Sequence, residues 1–334
     1  MALTAKVKKT INTGLQIIIA SLSLWFIYKQ IDDPQVYLSF VITFNKSYSG
    51  ESFITLLVIS LLLMPVNWML EALKWKRLIR YAENISALQS FKSVLSGITF
   101  SLFTPNRTGD FIGRLLTLPH SNRVTGTLLT LTGSIAQLIT TLFIGLIALC
   151  FFLPRYFDLS QPAFATGYVF VVIISLTACF LMVFLFLRIK LISKINFSSE
   201  RPFWKKLQKN LQIMAQVDRK TLLITLGLSF SRYFIFSTQF YLLLIAFGFS
   251  IPWFEAFILI AMTYFTMAAI PTIALVDLGI RGSVSMFFLG MYQTVPGASV
   301  SILAASTSIW IINLAIPAIA GLLFIYRVKL IRKV

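Results

Sequence analysis

The sequence is poor in charge, in histidine and in cysteine. Only 12% of its 334 residues are charged, one is a histidine and two are cysteines. In soluble domains about a quarter of all residues are charged, so a soluble fold is excluded. A single histidine, His120, and two cysteines inside apolar runs, Cys150 and Cys179, argue against a zinc or di-metal centre, a disulfide framework and a Ser–His–Asp set. We expect no metal, no cofactor and no catalytic residue.

Acidic residues and nucleotide-binding loops are also scarce. There is no G-x-x-x-x-G-K-[S/T] motif and no Gly-rich dinucleotide loop, so no nucleotide drives the protein by itself. Eleven acidic residues against 29 basic ones give a net charge of +18. The basic residues lie in loops beside apolar runs, where membrane topology and anionic lipid headgroups explain them better than nucleic acid does. We therefore expect membrane lipids with anionic headgroups as partners, and no nucleic acid.

Hydrophobic residues are abundant and occur in long runs. They make up 57% of the chain, and several runs reach the 18–25 residues that cross a hydrocarbon core of about 30 Å. No stretch has the alternating pattern of an outer-membrane barrel strand. The chain is predicted to be an all-α polytopic membrane protein with six full transmembrane spans, at about residues 11–31, 52–75, 125–153, 163–187, 221–249 and 298–326.

Basic residues orient these spans. Lys6, Lys8 and Lys9 precede the first run and no cleavage site follows it, so we expect a retained span and a cytoplasmic N-terminus. The second span ends in 74-KWKR-77, predicted as a cytoplasmic anchor, and the loop 188–220 carries nine basic residues against two acidic ones. That loop faces the cytoplasm only if residues 88–118 enter and leave the membrane on the cytoplasmic side. We therefore predict a re-entrant helical hairpin there, with loops 32–50 and 155–162 outside.

The same reasoning predicts a second re-entrant hairpin near the C-terminus. The last span is followed by four basic residues, so it runs inward and residues 252–292 enter and leave on the external side. Two opposed hairpins and six spans make an inverted repeat in one integral membrane domain, residues 1–334. We expect a first span and external loop (1–51), a first repeat (52–153), a connecting span and basic loop (154–220) and a second repeat (221–334). The alternative is two unrelated proline kinks.

The two hairpin turns hold the candidate site. The first, 103-FTPNRTGDFIGR-114, and the second, 270-IPTIALVDLGIRG-282, each read proline, then aspartate, then arginine four residues after that aspartate. A charge in mid-membrane costs about 2.5–3.5 kcal/mol, so it requires pairing, water or a ligand. The cluster of Arg107, Asp110 and Arg114 has one excess positive charge, so it could bind an anionic headgroup such as phosphate. The alternative is a structural ion pair that locks the turn.

Other polar residues in apolar runs complete the set. Asp277 and Arg281 are four residues apart and can pair, and Asn67 and Glu71 share one helical face. Arg232 lies in the middle of its span. Glu71 could instead pair with a lysine near the headgroups, and Arg232 could snorkel or bond to hairpin carbonyls. If the hairpins meet, Asp110 should lie near Arg281 or Arg232, and Asp277 near Arg107 or Arg114. The candidate headgroup-binding residues are Asn67, Glu71, Arg107, Asp110, Arg114, Arg232, Asp277 and Arg281.

At these positions the sequence resembles the lysylphosphatidylglycerol synthase transmembrane-region family, a flippase-like integral membrane domain. The resemblance lies in 105-PNRTGD-110 with Arg114, in Asn67 with 71-EALKW-75, and in 278-LGIR-281. Two features depart from the family pattern. Gly282 stands where an acidic residue usually follows the late arginine, and 272-TIALV-276 replaces a glycine-rich lead-in, so Asp277 is expected to supply the missing acid. Eight residues follow the last span, so we expect no aminoacyl-transfer domain.

The resemblance and the charged turns together imply a lipid translocase rather than an enzyme. It would move an anionic or modified lipid, or a lipid-linked precursor, across the inner (plasma) membrane, with both termini in the cytoplasm. Two alternatives stay open at this point. One is a membrane enzyme on a lipid or polyprenyl phosphate; the other is a non-transporting partner of a biosynthetic enzyme, with homo-oligomers also possible.

Overall fold

A computed structural model describes residues 51–102, 104, 107–116, 123–194, 208, 212, 215–270, 274–292 and 297–325. These residues hold helices and no β-strand, so the predicted all-α class is correct. The predicted first span (11–31), external loop 32–50, most of the basic loop, His120 and the C-terminal basic residues lie outside the described residues.

Ten α-helices occur in the described part of the chain. They are α1 (Glu51–Ile79), α2 (Ala87–Leu102), α3 (Gly109–Leu116), α4 (Arg123–Tyr156), α5 (Pro162–Leu187), α6 (Arg219–Ala246), α7 (Trp253–Ala269), α8 (Ala274–Gly290), α9 (Ala298–Trp310) and α10 (Ile316–Ile325). A 3₁₀ turn, Ile189–Lys194, follows α5, and a π-helical turn, Ile311–Ala315, joins α9 to α10 in one continuous rod.

Five of these elements are long and apolar enough to cross a membrane: Ser52–Ile79, Val124–Tyr156, Pro162–Leu187, Arg219–Ala246 and Ala298–Phe324. They coincide with the second to sixth predicted spans. The chain is therefore a multi-pass helical membrane protein.

Local signals in the sequence set where the spans begin and end. Pro162 opens α5, a position where its missing N–H costs nothing. Asp218 precedes α6 and accepts a hydrogen bond from the backbone N–H of Thr221, as an N-cap should. Gly248 follows α6 with φ of 82°, a left-handed conformation that terminates the helix because glycine adopts it without strain.

Helices α2 and α3 are too short to span a membrane and fold back on each other. Gly97 of α2 lies against Gly113 of α3, and a Cβ at Gly113 would collide with the backbone at Ser96 and Gly97. Gly109 approaches the carbonyl of Phe100 just as closely. Residue 97 faces residue 113, and residue 100 faces residue 109, so the two helices are antiparallel. Small residues allow this close contact.

Helices α7 and α8 form a second antiparallel hairpin with different packing. The guanidinium of Arg281 in α8 lies 5.9 Å from the centre of the Tyr264 ring in α7. Tyr264 in turn contacts the rings of Tyr233 and Phe240 on α6. An arginine–tyrosine contact thus joins the two helices of this hairpin, whereas the helices of the first meet at glycines.

Helices α1 and α6 form an antiparallel pair. At one end Phe53 contacts Phe247 edge to face, and at the other the hydroxyl of Tyr81 donates to Asp218. The two hairpins pack outside this pair. The first lies on α10, where the Thr99 hydroxyl donates to the Ala318 carbonyl, and the second lies on α4. Each hairpin thus packs against the last long helix of the other half of the chain.

Two residues of the predicted cytoplasmic anchor are buried instead. Lys74 and Trp75 are 2% and 1% exposed, and the indole N–H of Trp75 donates to the Thr130 hydroxyl at 3.0 Å. The prediction of an interfacial anchor at these two positions was wrong. Helix α1 continues to Ile79, so they lie more than a turn before its end, facing α4 and α6.

Candidate functional site

A buried carboxylate on α1 is the centre of a charge network. Glu71 is 5% exposed and lies between three cations. Its Oε1 is 3.0 Å from Arg114, and its Oε2 is 2.7 Å from Lys74 and 3.0 Å from Arg232. The predicted alternative for Glu71, a pair with a lysine at the headgroups, is half right. The lysine partner is present, but the pair is buried and joins α1 to α3 and α6.

The first turn supplies an arginine, Arg114, that pairs with two carboxylates. Arg114 donates from Nε and Nη2 to the two carboxylate oxygens of Asp110, both at 2.8 Å. Planar guanidinium groups suit such bidentate contacts. The same Nη2 also donates to Glu71 on α1. Asp110 therefore pairs within its own helix, as the i, i+4 spacing predicts.

The side chain of Arg232 extends from α6 to α1. Its guanidinium carbon lies 4.6 Å from the centre of the Trp68 ring, its Nε donates to Asn67 at 3.1 Å, and its Nη1 donates to Glu71. This combination of stacking and hydrogen bonds fixes the guanidinium plane. Arg232 is thus neither snorkelling nor bonded to hairpin carbonyls; it is part of the Glu71 network.

A chain of amides supports Asn67. The Asn67 side chain donates to Asn313 at 2.8 Å, Asn313 donates to Gln239 at 3.2 Å, and Gln239 donates to the carbonyl of Ser60 at 2.8 Å. Asn313 lies in the π-helical turn between α9 and α10. The sequence analysis missed Asn313 and Gln239, although an amide inside an apolar span was a signal that could have found them.

The two hairpin turns meet through one aspartate. Arg107 of the first turn reaches Oδ2 of Asp277 at 3.2 Å, and Arg281 reaches the same oxygen at 3.1 Å. Arg107 has φ of 56°, a left-handed conformation unusual for a residue other than glycine. The expectation that Asp277 lies near Arg107 is confirmed. Asp110 pairs with Arg114, and it shares a cavity with Arg232 rather than a direct ion pair.

The paired charges surround an open cavity with two chambers. The larger chamber, about 680 Å³, is lined by polar side chains that include Asn67, Arg107, Arg232, Asp277 and Arg281. The smaller, about 370 Å³, is lined by Glu71, Lys74, Arg107, Asp110, Arg114 and Arg232, among others. Arg107 and Arg232 line both, so the chambers adjoin. The structure therefore brings all eight sequence-predicted site residues to one cavity.

The charge of the cavity is positive. Five cations line it, Lys74, Arg107, Arg114, Arg232 and Arg281, against three carboxylates, Glu71, Asp110 and Asp277. Two positive charges are left over, and the larger chamber also has apolar walls such as Phe236, Ile309 and Leu314. The described residues contain no cluster of three histidine, cysteine or acidic side chains suited to a metal ion. A site of this kind suits an anionic group attached to an apolar body.

One comparison with known proteins identifies a family. The family model described as the lysylphosphatidylglycerol synthase TM region matches residues 15–321, which is nearly the whole chain. No curated protein matches the sequence.

Proposed function

This chain belongs to the lysylphosphatidylglycerol synthase TM-region family, and we propose that it translocates an anionic or modified lipid, or a lipid-linked precursor, between the leaflets of the inner membrane. The headgroup passes through the two chambers while the acyl chains stay in the bilayer. The observation that carries this proposal is the cationic cavity where two broken helical hairpins meet. Broken helices in corresponding positions are typical of transporter substrate sites, and non-helical backbone at membrane depth is tolerated where it lines such a cavity.

We further propose the full topology: six spans, two re-entrant hairpins that enter from opposite faces, an inverted repeat, and both termini in the cytoplasm. Two contacts support it. Helices α1 and α6 pair antiparallel, and each hairpin packs on the last long helix of the opposite half. A Lys205→Cys variant, with Cys150 and Cys179 changed to serine, tests the orientation in intact cells. Labelling of position 205 by an impermeant reagent from outside would contradict it.

The ion pairs of the carboxylates in the cavity favour translocation over covalent chemistry. A membrane enzyme acting on a lipid phosphate requires a base, and the carboxylates available in the cavity are Glu71, Asp110 and Asp277. Within the described residues, each of the three accepts hydrogen bonds from arginine or lysine. Because cation N–H groups occupy the oxygens of these carboxylates, a substrate hydroxyl would have to displace one of them before it could approach. We therefore propose that the protein is not an enzyme.

Reconstitution of the purified protein separates the candidate functions. Vesicles containing a headgroup-labelled anionic lipid report leaflet exchange, covalent conversion or neither, the three outcomes expected of a translocase, an enzyme and a non-transporting partner. We expect Arg107→Ala and Asp110→Ala each to abolish exchange while the protein still inserts and folds. Arg155→Ala is the matched control, because Arg155 pairs with Glu255 outside both chambers. Normal exchange by both turn variants would show that the turn is not the headgroup site.

A further inference from the structure

Three buried side-chain amides connect Arg232 to a backbone carbonyl. The Nε of Arg232 donates to the Asn67 oxygen at 3.1 Å, and the Asn67 amide donates to Asn313 at 2.8 Å. Asn313 donates to Gln239 at 3.2 Å, and Gln239 donates to the carbonyl of Ser60 at 2.8 Å. We call this series of hydrogen bonds, from Arg232 to Ser60, the amide relay. It passes from α6 to α1, to the π-helical turn, back to α6 and finally to α1.

The two ends of the amide relay allow only one orientation of the amides between them. A guanidinium can only donate and a carbonyl oxygen can only accept, so each amide turns its oxygen toward Arg232 and its NH2 group toward Ser60. Reversing one amide would bring two donors together on one side and two acceptors on the other. Such contacts are costly inside an apolar span, where the dielectric constant is low. The rest of the relay therefore determines which atom Asn67 presents to Arg232.

The π-helical turn places the middle amide of the relay between α1 and α6. Pro317 has no N–H group to donate to the carbonyl of Asn313, as an α-helix would require. The N–H of Ile316 bonds to the carbonyl of Ile311, five residues earlier. Proline in this position thus favours the wide turn, from which the Asn313 amide bonds to both neighbouring helices. Turns of this kind occur frequently at functional sites.

The amide relay ends at a cation that lines both chambers. The Arg232 side chain is 21% exposed, its guanidinium stacks on Trp68 and its Nη1 donates to Glu71. Together with the bond from Nε, these contacts fix the plane of the guanidinium where the chambers adjoin. Gln239, in contrast, is fully buried and lines neither chamber. The relay is therefore the route by which Gln239 reaches the cavity.

We propose that Gln239 and Asn313 are positioning residues of the translocation step. Through Asn67 they hold the guanidinium of Arg232 in one orientation between the two chambers. A cation that is already oriented needs no reordering each time a headgroup passes. This role rests on the proposed function, because it assigns translocation to the cavity. The physical coupling between Gln239 and Arg232 does not depend on that assignment and can be measured separately.

Unfolding temperatures in detergent measure the coupling without any transport. Gln239 and Arg232 are seven residues apart on α6, about 10 Å along its axis, and changes at such a distance normally add. We expect Gln239→Leu and Arg232→Met to be non-additive. Methionine has no donor for Asn67, so breaking the relay at Gln239 should then cost less than it does in the parent protein. Additive losses would overturn the proposal.

The matched control for the coupling is a second position on α6. Thr225 is also seven residues from Arg232, on the other side, and it is equally buried. Its hydroxyl donates to the carbonyl of Thr221 within its own helix at 2.7 Å. Because Thr225 is not part of the relay, the loss of stability in Thr225→Val should add to that in Arg232→Met. Equal coupling at both positions would mean that helix packing, not the relay, connects them.

Leaflet exchange tests the positioning role. In phosphatidylcholine vesicles that contain NBD-labelled phosphatidylglycerol, dithionite reduces the label in the outer leaflet, and the further loss of fluorescence reports exchange. We expect Gln239→Leu to slow exchange about five- to ten-fold, the effect of one hydrogen bond. Gln239→Glu is the conservative variant, because a protonated carboxyl group accepts from Asn313 and donates to Ser60. Its exchange rate should stay close to that of the parent.

A merely structural role predicts the opposite order of these two variants. Leucine suits an apolar span better than a carboxyl group does, and in Gln239→Leu the Asn313 amide keeps a second acceptor, the Ile309 carbonyl at 3.4 Å. Gln239→Leu should therefore be at least as stable as Gln239→Glu although it exchanges lipid more slowly. Exchange rates that follow the unfolding temperatures instead would overturn the positioning role.

The failure of this inference is distinguishable from that of the proposed function. Exchange by the parent and by Gln239→Leu at equal rates would leave translocation standing and overturn the positioning role. No exchange by the parent, together with non-additive unfolding, would contradict translocation and the transport role of the relay, and would leave Gln239 coupled to Arg232 for stability alone. Additive unfolding would overturn the relay whatever the exchange rates.

Discussion

The two hairpins carry the same pair, an aspartate with an arginine four residues later, and place it in different surroundings. In the first, Asp110 and Arg114 belong to a closed network that includes Glu71, Lys74 and Arg232. In the second, Arg281 keeps two N–H groups without partners among the described residues. One pair is fully satisfied within the protein, while the other has donors to spare.

The difference arises from the residues that face each arginine. Helix α1 contributes an acid, Glu71, which pairs with Arg114 of the first hairpin. Arg281 of the second hairpin faces the ring of Tyr264 on α7 instead. The same aspartate–arginine pair is thus tied into the rest of the fold differently in the two hairpins. The predictions below test this division, beginning with the largest effect.

Removing the acid at the centre should break the first hairpin's network. Glu71→Gln removes the carboxylate that Lys74 and Arg232 contact and one of the two that Arg114 contacts, and breaking buried pairs in this way costs about 3–5 kcal/mol. We expect a large loss of thermal stability in detergent. Glu255→Gln is the control, because its partner Arg155 is 37% exposed and such a pair contributes about 0–1 kcal/mol. Equal stability of the two variants would mean that the first network is not structural.

Exchanging the charges that link the hairpins should be less damaging than either single change. Arg107 and Asp277 form the contact between the two turns. We expect Arg107→Asp and Asp277→Arg each to lower the exchange rate at least about ten-fold, and the double variant to recover part of it, since coupled charges are not additive. The initial rate of leaflet exchange measures this. Losses that simply add in the double variant would show that the two hairpins act independently.

Five of the six predicted spans were found because long apolar runs are visible in the sequence, and the charged turns were predictable because a charge or proline inside such a run is visible too. The spacing of Asp110 and Arg114 also predicts their pairing. The sequence predicted that Asp277 would lie near Arg107 or Arg114 but did not distinguish between them, and it does not reveal the left-handed backbone from which Arg107 makes the contact. Lys74 was misplaced for a similar reason, since a lysine near the end of an apolar run looks the same whether it faces headgroups or a buried acid. Its environment is set by Glu71 and α6, through tertiary packing.

Close packing distinguishes the first hairpin from the second, and a methyl group tests it. Gly113→Ala would place a Cβ against the backbone of α2, and overpacking of this kind costs about 1–3 kcal/mol. Gly167→Ala is the matched control, since no atom lies within 4 Å of a Cβ there, and alanine favours helix by about 0.5–1 kcal/mol. Unfolding midpoints should move in opposite directions. A neutral Gly113→Ala variant would contradict the close approach of α2 and α3.

The smallest effect is expected from a carboxylate outside the cavity. The backbone N–H of Thr221 donates to Asp218 and holds the pKa of this side chain below its ordinary value of 3.8. A carboxylate with a lowered pKa stabilises the folded state above the unfolded pKa, and this contribution disappears as the pH falls through the folded value. Asp218→Asn keeps a capping oxygen but has no charge, so the parent should unfold at a slightly higher temperature at pH 6, and this difference should vanish in acid. Because Asp218 is half exposed, the loss should be far below that of Glu71→Gln. A difference that persists well below pH 3.8 would contradict a contribution from the charge of Asp218, and one as large as the Glu71 effect would show that the buried network is not what sets the stability of this half of the molecule.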